Sequence, residues 1–130
     1  MTDPAAIRTD AAPAPFAGAP YSQAIVAGEL VFVSGQVGLD PRTSTLVAGG
    51  IVAETQQTFA NMSAILEAAG SGLDRLVKTT VFLMDMGDFA AMNETYATFV
   101  SAKPPARSTV QVAMLPAGAI VEIECVALKR

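Results

Sequence analysis

The strongest constraint on the fold is one stripe of mainly apolar side chains in the middle of the chain. Its members recur every three or four residues, a spacing that places them on one face of an α-helix. Gly70 follows the stripe and suits the left-handed position after a helix C-terminus. We therefore predict an amphipathic helix that must cover another apolar layer. The stripe consists of Ile51, Thr55, Phe59, Met62, Ile65, Leu66 and Ala69.

Strand-like segments flank this helix. YSQAIVAGELVFVSGQ has two apolar runs and predicts a hairpin that turns at Gly28, whereas GLDPRTSTLVAGG has the turn-forming residues of a loop. LVKTTVFLM, residues 76–84, is β-branched and apolar on both faces, as in a central strand. Asp88 is the expected N-cap of a second helix. The apolar stripe of that helix is Phe89, Met92, Tyr96, Phe99 and Val100.

The chain ends in two further predicted strands. Residues 107–115 and 120–129 flank the turn PAG, and we expect them to form an antiparallel hairpin. The full order is then ββαβαββ, a two-layer α+β domain with both helices on one face of a mixed sheet. Residues 1–18 are rich in Ala and Pro without periodicity, which is typical of a flexible N-terminal arm. The single domain is accordingly expected to span residues 19–130.

The composition predicts that the uncovered face of this sheet is a subunit contact. Apolar residues make up 52% of the chain and charged residues 15%, which is a low share of charge for a soluble monomer. A domain of this size with helices on only one sheet face leaves too much apolar surface in water. We therefore expect a homo-oligomer.

The charge and the cysteine content disfavour several classes of protein. The net charge is −4 and no cluster of Lys or Arg occurs, whereas nucleic-acid binding needs a basic face. A single cysteine excludes an internal disulfide and fits a reducing cytoplasm. There is no signal-peptide pattern and no apolar run long enough to span a membrane. We expect a soluble cytoplasmic protein that binds neither nucleic acid nor membrane.

The chain contains no histidine, and this narrows its chemistry. The acidic residues lack the spacing of metal ligands and no phosphate-binding glycine loop is present, so neither a metal nor an organic cofactor is expected. Ser34 and Ser108 have no histidine to activate them. Cys125 shares a strand face with apolar residues and is interpreted as a buried structural thiol. Lys78, the one lysine inside a strand, is a weaker candidate for a Schiff base.

The remaining charges near the C-terminus allow two interpretations. Glu122 and Glu124 share one strand face because side chains alternate along a strand, and Arg107 stands at the start of the strand before. In the first interpretation these charges lie on a solvated edge as a weak ion pair. In the second, Arg107 binds the carboxylate of a small anionic substrate, and a glutamate transfers a proton or positions water. Tyr21 is a further polar candidate, and the pattern leaves both interpretations open.

Three long segments resemble the YjgF/RidA family, also called the L-PSP or reactive-intermediate deaminase family. They are GAPYSQAIVAGELVFVSGQVGLDP, FANMSAILEAAGSGLDRLVKTTVFLMDMGDFAAMNETYATF and PPARSTVQVAMLPAGAIVEIECVAL. The likeness covers nearly all of the chain after residue 18. It implies a chorismate-mutase-like homotrimer with active sites in the clefts between subunits. It also implies hydrolysis of 2-imino acids, or their enamine tautomers, to 2-oxo acids and ammonia without a cofactor.

The resemblance also implies roles for individual residues. Arg107 matches the arginine that grips the substrate carboxylate, and Glu122 matches the glutamate that orients or activates the attacking water. Thr109 is a departure, because well-studied deaminases of the family often carry Cys there. Glu124 has no matching role and is expected at the rim of the site or against another subunit. Substrate-binding positions are implied for Tyr21, Ser34, Gly35, Asn93 and Thr109.

Three functional hypotheses follow from this resemblance. The first is a trimeric 2-imino acid deaminase. Thr109 leaves room for the second, a family member whose cleft binds a small carboxylate or hydrolyses a different imine in a dedicated pathway. The third is a ribonuclease or translation inhibitor, as some family names suggest, and the acidic charge and the lack of histidine disfavour it.

Overall fold

The computed structural model describes residues 3–130, which form a two-layer α+β domain. Six strands make one mixed sheet in the spatial order β1-β2-β3-β8-β6-β7, and β4 pairs with β5 in a separate ribbon. Two helices, α1 (Gly50–Ala68) and α2 (Phe89–Ala97), supply the second layer. The strands are β1 (Ala5–Ile7), β2 (Ala24–Ala27), β3 (Leu30–Gln36), β4 (Leu39–Asp40), β5 (Thr45–Leu46), β6 (Leu76–Leu83), β7 (Ala106–Gln111) and β8 (Val121–Leu128).

Helix α1 confirms the predicted amphipathic helix. Gly70 follows it with φ of +78°, the left-handed conformation that glycine adopts at little cost. The stripe packs on the sheet, and burying each large side chain contributes about 1.5–3 kcal/mol. Within residues 3–130 neither helix combines the length and hydropathy that crossing a bilayer requires. The side chains of the stripe that are fully buried are Thr55, Phe59, Met62, Ile65 and Leu66.

The segment β6–α2–β7 is a parallel crossover. Strand β6 lies inside the sheet as predicted, with β8 antiparallel on one side and β7 parallel on the other. Asp88 is the N-cap residue of α2, but its side chain makes no capping hydrogen bond. The carboxylate of Asp85 instead accepts a hydrogen bond of 2.7 Å from the backbone nitrogen of Gly87, in the turn before the helix. The helix start was therefore predicted at the right residue, but the capping side chain was not.

The predicted antiparallel hairpin between the last two strands is wrong. β6 lies between β7 and β8, so these two strands never pair. The connection between them crosses the end of β6, where the nitrogen of Val112 donates to the carbonyl of Leu83 and the nitrogen of Met84 donates to the carbonyl of Ile120. β6 needs hydrogen-bonding partners on both edges, and the chain leaving α2 pairs with the edge that β8 leaves open.

The structure differs from the expected flexible arm at the N-terminus. β1 pairs antiparallel with β2, and the Gln23 side chain, only 2% exposed, holds the residues that follow β1. Its Nε2 donates to the carbonyls of Thr9 (3.0 Å) and Pro13 (2.9 Å), and its Oε1 accepts from the Thr9 nitrogen (2.7 Å). An Ala/Pro-rich segment without periodicity is thus ordered by one buried amide. Residues 1 and 2 lie outside the described residues, and a domain spanning 19–130 stays a prediction.

The predicted loop after β3 contains the short ribbon of β4 and β5. Asn61 on α1 fixes its start, because its buried side-chain amide donates to the carbonyls of Val37 (3.1 Å) and Leu39 (2.9 Å). The Val37 carbonyl also accepts from the backbone nitrogen of Leu39 at 2.8 Å, so Asn61 adds a second bond there. The contact ties the end of β3 to the helix layer and thereby positions the residues at the end of that strand.

Candidate active site

A β-bulge shapes the edge of β3 where the predicted site residues meet. The pairing of β3 with β8 shifts register between Val33 and Gln36. As a result, Ser34 and Gly35 together face the single residue Glu124 on β8. Bulges of this kind bend a strand and redirect its side chains, and they are frequent beside active sites. The bulge places the backbone of Ser34 and Gly35 against the carboxylate-bearing face of β8.

Gly35 is required by the position of Glu122. A Cβ at residue 35 would lie 2.8 Å from the carboxyl carbon of Glu122, so only glycine lets that carboxyl lie against the backbone of β3. Burial raises the pKa of Glu122 above its ordinary value, and the charge of Glu124 raises it further. A carboxylate with a raised pKa is a stronger base than an exposed one.

Tyr21 is held beside the bulge by backbone and hydroxyl contacts. The Ser34 hydroxyl donates a 2.6 Å hydrogen bond to the carbonyl of Ser22, and the Ser34 nitrogen donates to the carbonyl of Gln23 at 2.9 Å. The Tyr21 hydroxyl oxygen accepts from the backbone nitrogen of Phe16 at 3.1 Å. Because that bond uses only the oxygen, the phenolic proton of Tyr21 is available to donate to a ligand.

These groups line one open cleft of about 480 Å³. Four of the predicted site residues lie in it: Tyr21, Ser34, Gly35 and Glu122. Three of the lining residues, namely Phe16, Val37 and Pro116, were not anticipated. Phe16 lies in the expected arm, and Val37 and Pro116 lie in irregular segments without charge or periodicity. Only the loop position of Pro116 gave a weak signal, since loops at sheet ends often carry binding residues. The full lining is Phe16, Tyr21, Ser34, Gly35, Val37, Pro116, Glu122 and Glu124.

Arg107 lies elsewhere, on the face of β7 that the helices cover. It is paired in register with Thr79, whose hydroxyl shares a 2.7 Å hydrogen bond with Tyr96. The guanidinium carbon stands 4.8 Å from the ring centre of Tyr96 and 5.6 Å from that of Phe89, so both rings attract the cation. Within residues 3–130 no carboxylate lies in ion-pair range of Arg107. Its hydrogen-bond donors therefore remain available for an anion.

Thr109 and Asn93 accompany Arg107. Thr109 follows it by two residues on the same face of β7, opposite Val81, and Asn93 lies one turn of α2 beyond Phe89. Within the described chain, Thr109 Oγ1 and Asn93 Oδ1 are buried and have no hydrogen-bond partner. Buried polar atoms normally find one, so both atoms are suited to a contact from outside this chain.

The predicted residues thus form two groups on opposite faces of the sheet. Arg107 shares a row with Thr79 and the buried Cys125 on the covered face, whereas Glu122 and Glu124 point to the open face. One small molecule cannot touch Arg107 and Glu122 of the same chain. The interpretation of an edge ion pair among these charges is wrong for a single chain, because no such pair forms within residues 3–130.

Cys125 confirms the interpretation of a buried thiol. Burial raises its pKa to about 12, with the charge of Glu124 as a further cause. Such a thiol stays protonated at neutral pH and is a poor nucleophile. Its place is in the core under α1.

The sequence matches a known protein family over most of its length. The sequence model of the family described as Endoribonuclease L-PSP matches residues 11–129. The chain is 48% identical over 123 residues to the RutC family protein PH0854 of Pyrococcus horikoshii, covering 95% of this chain and 96% of that protein. It is 49% identical over 116 residues to the mouse protein named 2-iminobutanoate/2-iminopropanoate deaminase, covering 89% of this chain and 86% of the relative.

A solved structure extends the likeness to the whole fold. The crystal structure of RidA from an Antarctic Psychrobacter species superposes with a TM-score of 0.90 at 47% identity, covering 95% of this chain and 98% of that one. The residues that carried the resemblance in the sequence are therefore set in the same fold. The chain belongs to the Endoribonuclease L-PSP family, the family of the YjgF and RidA proteins.

Proposed function

We propose that this protein hydrolyses 2-imino acids, or their enamine tautomers, to 2-oxo acids and ammonia. The observation that carries the proposal is Glu122, a carboxyl of raised pKa packed on Gly35 in an open cleft. Relatives that bear the name of this activity, in mouse and human, are 49% and 46% identical to the chain. The lone buried thiol suits a reducing compartment, and we propose the cytoplasm as the location.

The complete site in this proposal forms between two subunits of a homotrimer. Arg107, Thr109 and Asn93 of one subunit face the cleft of the next, and three such contacts close a ring. The open sheet face supports this assembly because it exposes large apolar side chains beside the cleft. Phe32 is 45% exposed, Val110 is 43% exposed and Leu128 is 37% exposed.

Each group then has a defined task in the reaction. Arg107 binds the substrate carboxylate through paired N–H donors, which orients the C=N carbon toward Glu122. Glu122 accepts a proton from a water molecule as its oxygen attacks that carbon, giving a tetrahedral carbinolamine. Glu122 passes this proton to the imine nitrogen, which completes the carbinolamine. It then takes the carbinolamine hydroxyl proton and transfers it to the same nitrogen as the C=O bond forms and the C–N bond breaks, so that ammonia and the 2-oxo acid leave. Only water and protons are exchanged, so the step is balanced without an oxidant or reductant.

A second candidate keeps the site but changes its ligand. Thr109 places a hydroxyl with an unpartnered oxygen where many deaminases of the family have a thiol. That difference favours either binding of a small carboxylate without hydrolysis or hydrolysis of a different imine. RNA cleavage is less well supported, because the net charge of −4 opposes binding of a polyanion.

A competition assay tests the proposal. An amino-acid oxidase generates 2-iminobutanoate, semicarbazide traps it, and the wild-type protein is expected to suppress trapping. Arg107→Ala and Glu122→Gln should each lower kcat/KM by about 10²-fold or more, since each removes a charged contact to the reacting molecule. Arg42→Ala is a matched control, because Arg42 is exposed and forms its ion pair with Asp40 outside the cleft. A wild-type protein without effect on trapping would refute the deaminase and favour the binding protein.

A further inference from the structure

The cleft continues past Tyr21 to a residue that none of the predicted roles includes. A chain of contacts gives the order: Glu122 lies on Gly35, the neighbouring Ser34 is bonded to Ser22, and Tyr21 accepts a hydrogen bond from Phe16. In this chain of contacts, Phe16 joins the cleft through Tyr21, and Ser22 and Ser34 lie between them and the reacting carboxylate. We propose that Phe16 determines specificity by selecting 2-imino acids with a long apolar side chain, an inference that rests on the proposed function.

The segment before Phe16 is fixed in place. The buried Gln23 side chain holds the backbone of Thr9 and Pro13 through three hydrogen bonds of 2.7–3.0 Å. Ala12, between them, is buried in the main core. Phe16 thus follows a stretch anchored to β2, and it does not lie on a free tail. A side chain held in position before the ligand arrives loses little freedom on binding.

A tight turn fixes the segment after Phe16. The nitrogen of Ala19 donates to the carbonyl of Phe16 at 2.9 Å, and Gly18 has φ of +75°, which this turn requires. The backbone nitrogen of Phe16 donates to the Tyr21 hydroxyl at 3.1 Å. Both residues that wall this end of the cleft are therefore joined in one closed loop. Contacts within the loop therefore fix their relative position.

The end of the cleft at Phe16 is apolar, whereas the region around Glu122 is charged. Phe16 and the ring of Tyr21 present apolar surface, while Glu122 and its neighbour supply the charges. Phe16 is 44% exposed, so part of its ring has no protein contact and can be covered by a ligand. A substrate whose reacting carbon meets Glu122 reaches this surface only through an extended side chain. Each methylene buried there is expected to tighten binding about fourfold.

Two substrates that differ only in side chain measure this selection. The imines generated by an amino-acid oxidase from alanine and from leucine are compared in the trapping assay, and the ratio of their kcat/KM values is the readout. In Phe16→Ala the preference for the leucine-derived imine should fall about tenfold or more, mainly through KM. Phe16→Leu should retain most of the preference. Val52→Ala is the control, because Val52 is also 44% exposed but lies on α1 outside the cleft.

Calorimetry with the two stable products, pyruvate and 4-methyl-2-oxopentanoate, separates this inference from the proposed function. If the wild type hydrolyses neither imine, the deaminase is refuted, while tighter binding of the longer oxo acid that Phe16→Ala abolishes still supports the selection. The proposed selection would be overturned if wild type and Phe16→Ala gave the same ratio of kcat/KM for the two imines and the same ratio of affinities for the two oxo acids. A wild type that binds the shorter acid at least as tightly as the longer one would overturn it as well.

Discussion

The two faces of the sheet are built from alternate residues of the same strands, yet a single chain buries the side chains of only one face. On the covered face, Val81, Leu83 and Ile123 are fully buried under the helices. On the open face, Phe32 and Val110 keep almost half of their surface in water. The covered face therefore stabilises the single chain, and the open face is left for a partner.

The same contrast divides the polar residues of the candidate site. Arg107 lies at the edge of the covered face, where aromatic rings of α2 hold it, and Glu122 lies on the open face over a glycine. Side chains that point to opposite faces of one sheet cannot meet, even when they lie on nearby strands. The two groups become one site only if the open face of one chain meets the edge of another.

Mixing two inactive variants tests most directly whether Arg107 and Glu122 act from different chains. Arg107→Ala and Glu122→Gln chains should each be about 10²-fold less active alone. When coexpressed in equal amounts they should regain about a quarter of wild-type activity, because one interface in four then pairs an intact Arg107 with an intact Glu122. The measurement is imine hydrolysis by the purified mixture. Activity no higher than that of the separate variants would mean that both groups act from the same chain.

Charge on the open face should have the next largest effect. Phe32→Asp is expected to lower the mass measured by light scattering from three chains to one and to abolish hydrolysis, because an ionised carboxylate cannot be buried unpaired at an apolar contact. Far-UV circular dichroism should be retained, since the covered face is untouched. Val52→Asp, at equal exposure on α1, is the control and should remain assembled. A wild type that is already monomeric at micromolar concentration would remove the proposed trimer.

Much of the covered face was predictable from local pattern. The stripe of α1 and the glycine at its end depend on residues within a few positions of one another, and both predictions are confirmed. The pairing of β7 was not predictable in this way. Its partner was expected to be β8, the next strand along the chain, whereas β7 pairs with β6 after a crossover and β8 pairs with the other edge of β6. Local alternation shows that a strand exists but does not identify its neighbour.

The candidate site was likewise predictable only in part. The pattern had already indicated Tyr21 and Glu122, the resemblance to a known family added Ser34 and Gly35, and the structure brings all four into one cleft. Neither the pattern nor the resemblance revealed that Arg107 lies on the other face, because that depends on the parallel placement of β7. Phe16 was missed for another reason. Its position depends on hydrogen bonds from Gln23 to residues 10–14 positions earlier, and an Ala/Pro-rich segment carries no periodic sign of them.

The two carboxylates of the open face offer a finer test of its electrostatics. Hydrolysis by an ionised Glu122 is lost as pH falls through its raised pKa, because the protonated acid cannot accept a proton from water. Glu124→Gln removes a neighbouring negative charge, so the pKa of Glu122 should fall and the acidic limb of the kcat/KM profile should move to lower pH. The control is Glu94→Gln, on α2 outside the cleft. An unmoved limb would mean that Glu124 does not act on Glu122.

The smallest expected effect concerns a carboxyl on the covered side. Glu54 of α1 is buried, and its Oε1 accepts a 2.9 Å hydrogen bond from the nitrogen of Ile120, two residues before Glu122. Burial raises the pKa of Glu54, the bond from Ile120 partly opposes this, and the charge of Asp88 adds to it. Between the ordinary pKa and the raised one, the folded chain binds more protons than the unfolded chain. The contribution of this carboxyl to stability therefore falls as pH rises through that window.

Glu54→Gln should abolish this loss, because the amide oxygen still accepts from Ile120 while no charge is buried. The variant is expected to match wild type near pH 4 and to exceed it by about 1 kcal/mol in unfolding free energy at pH 8. Urea unfolding at fixed protein concentration measures the difference, with the exposed Glu67→Gln on the same helix as control. A variant less stable than wild type at pH 8 would show that the ionised carboxylate strengthens the bond to Ile120 by more than its burial costs. The start of β8, and with it the placement of Glu122, would then depend on a charge held within the covered layer.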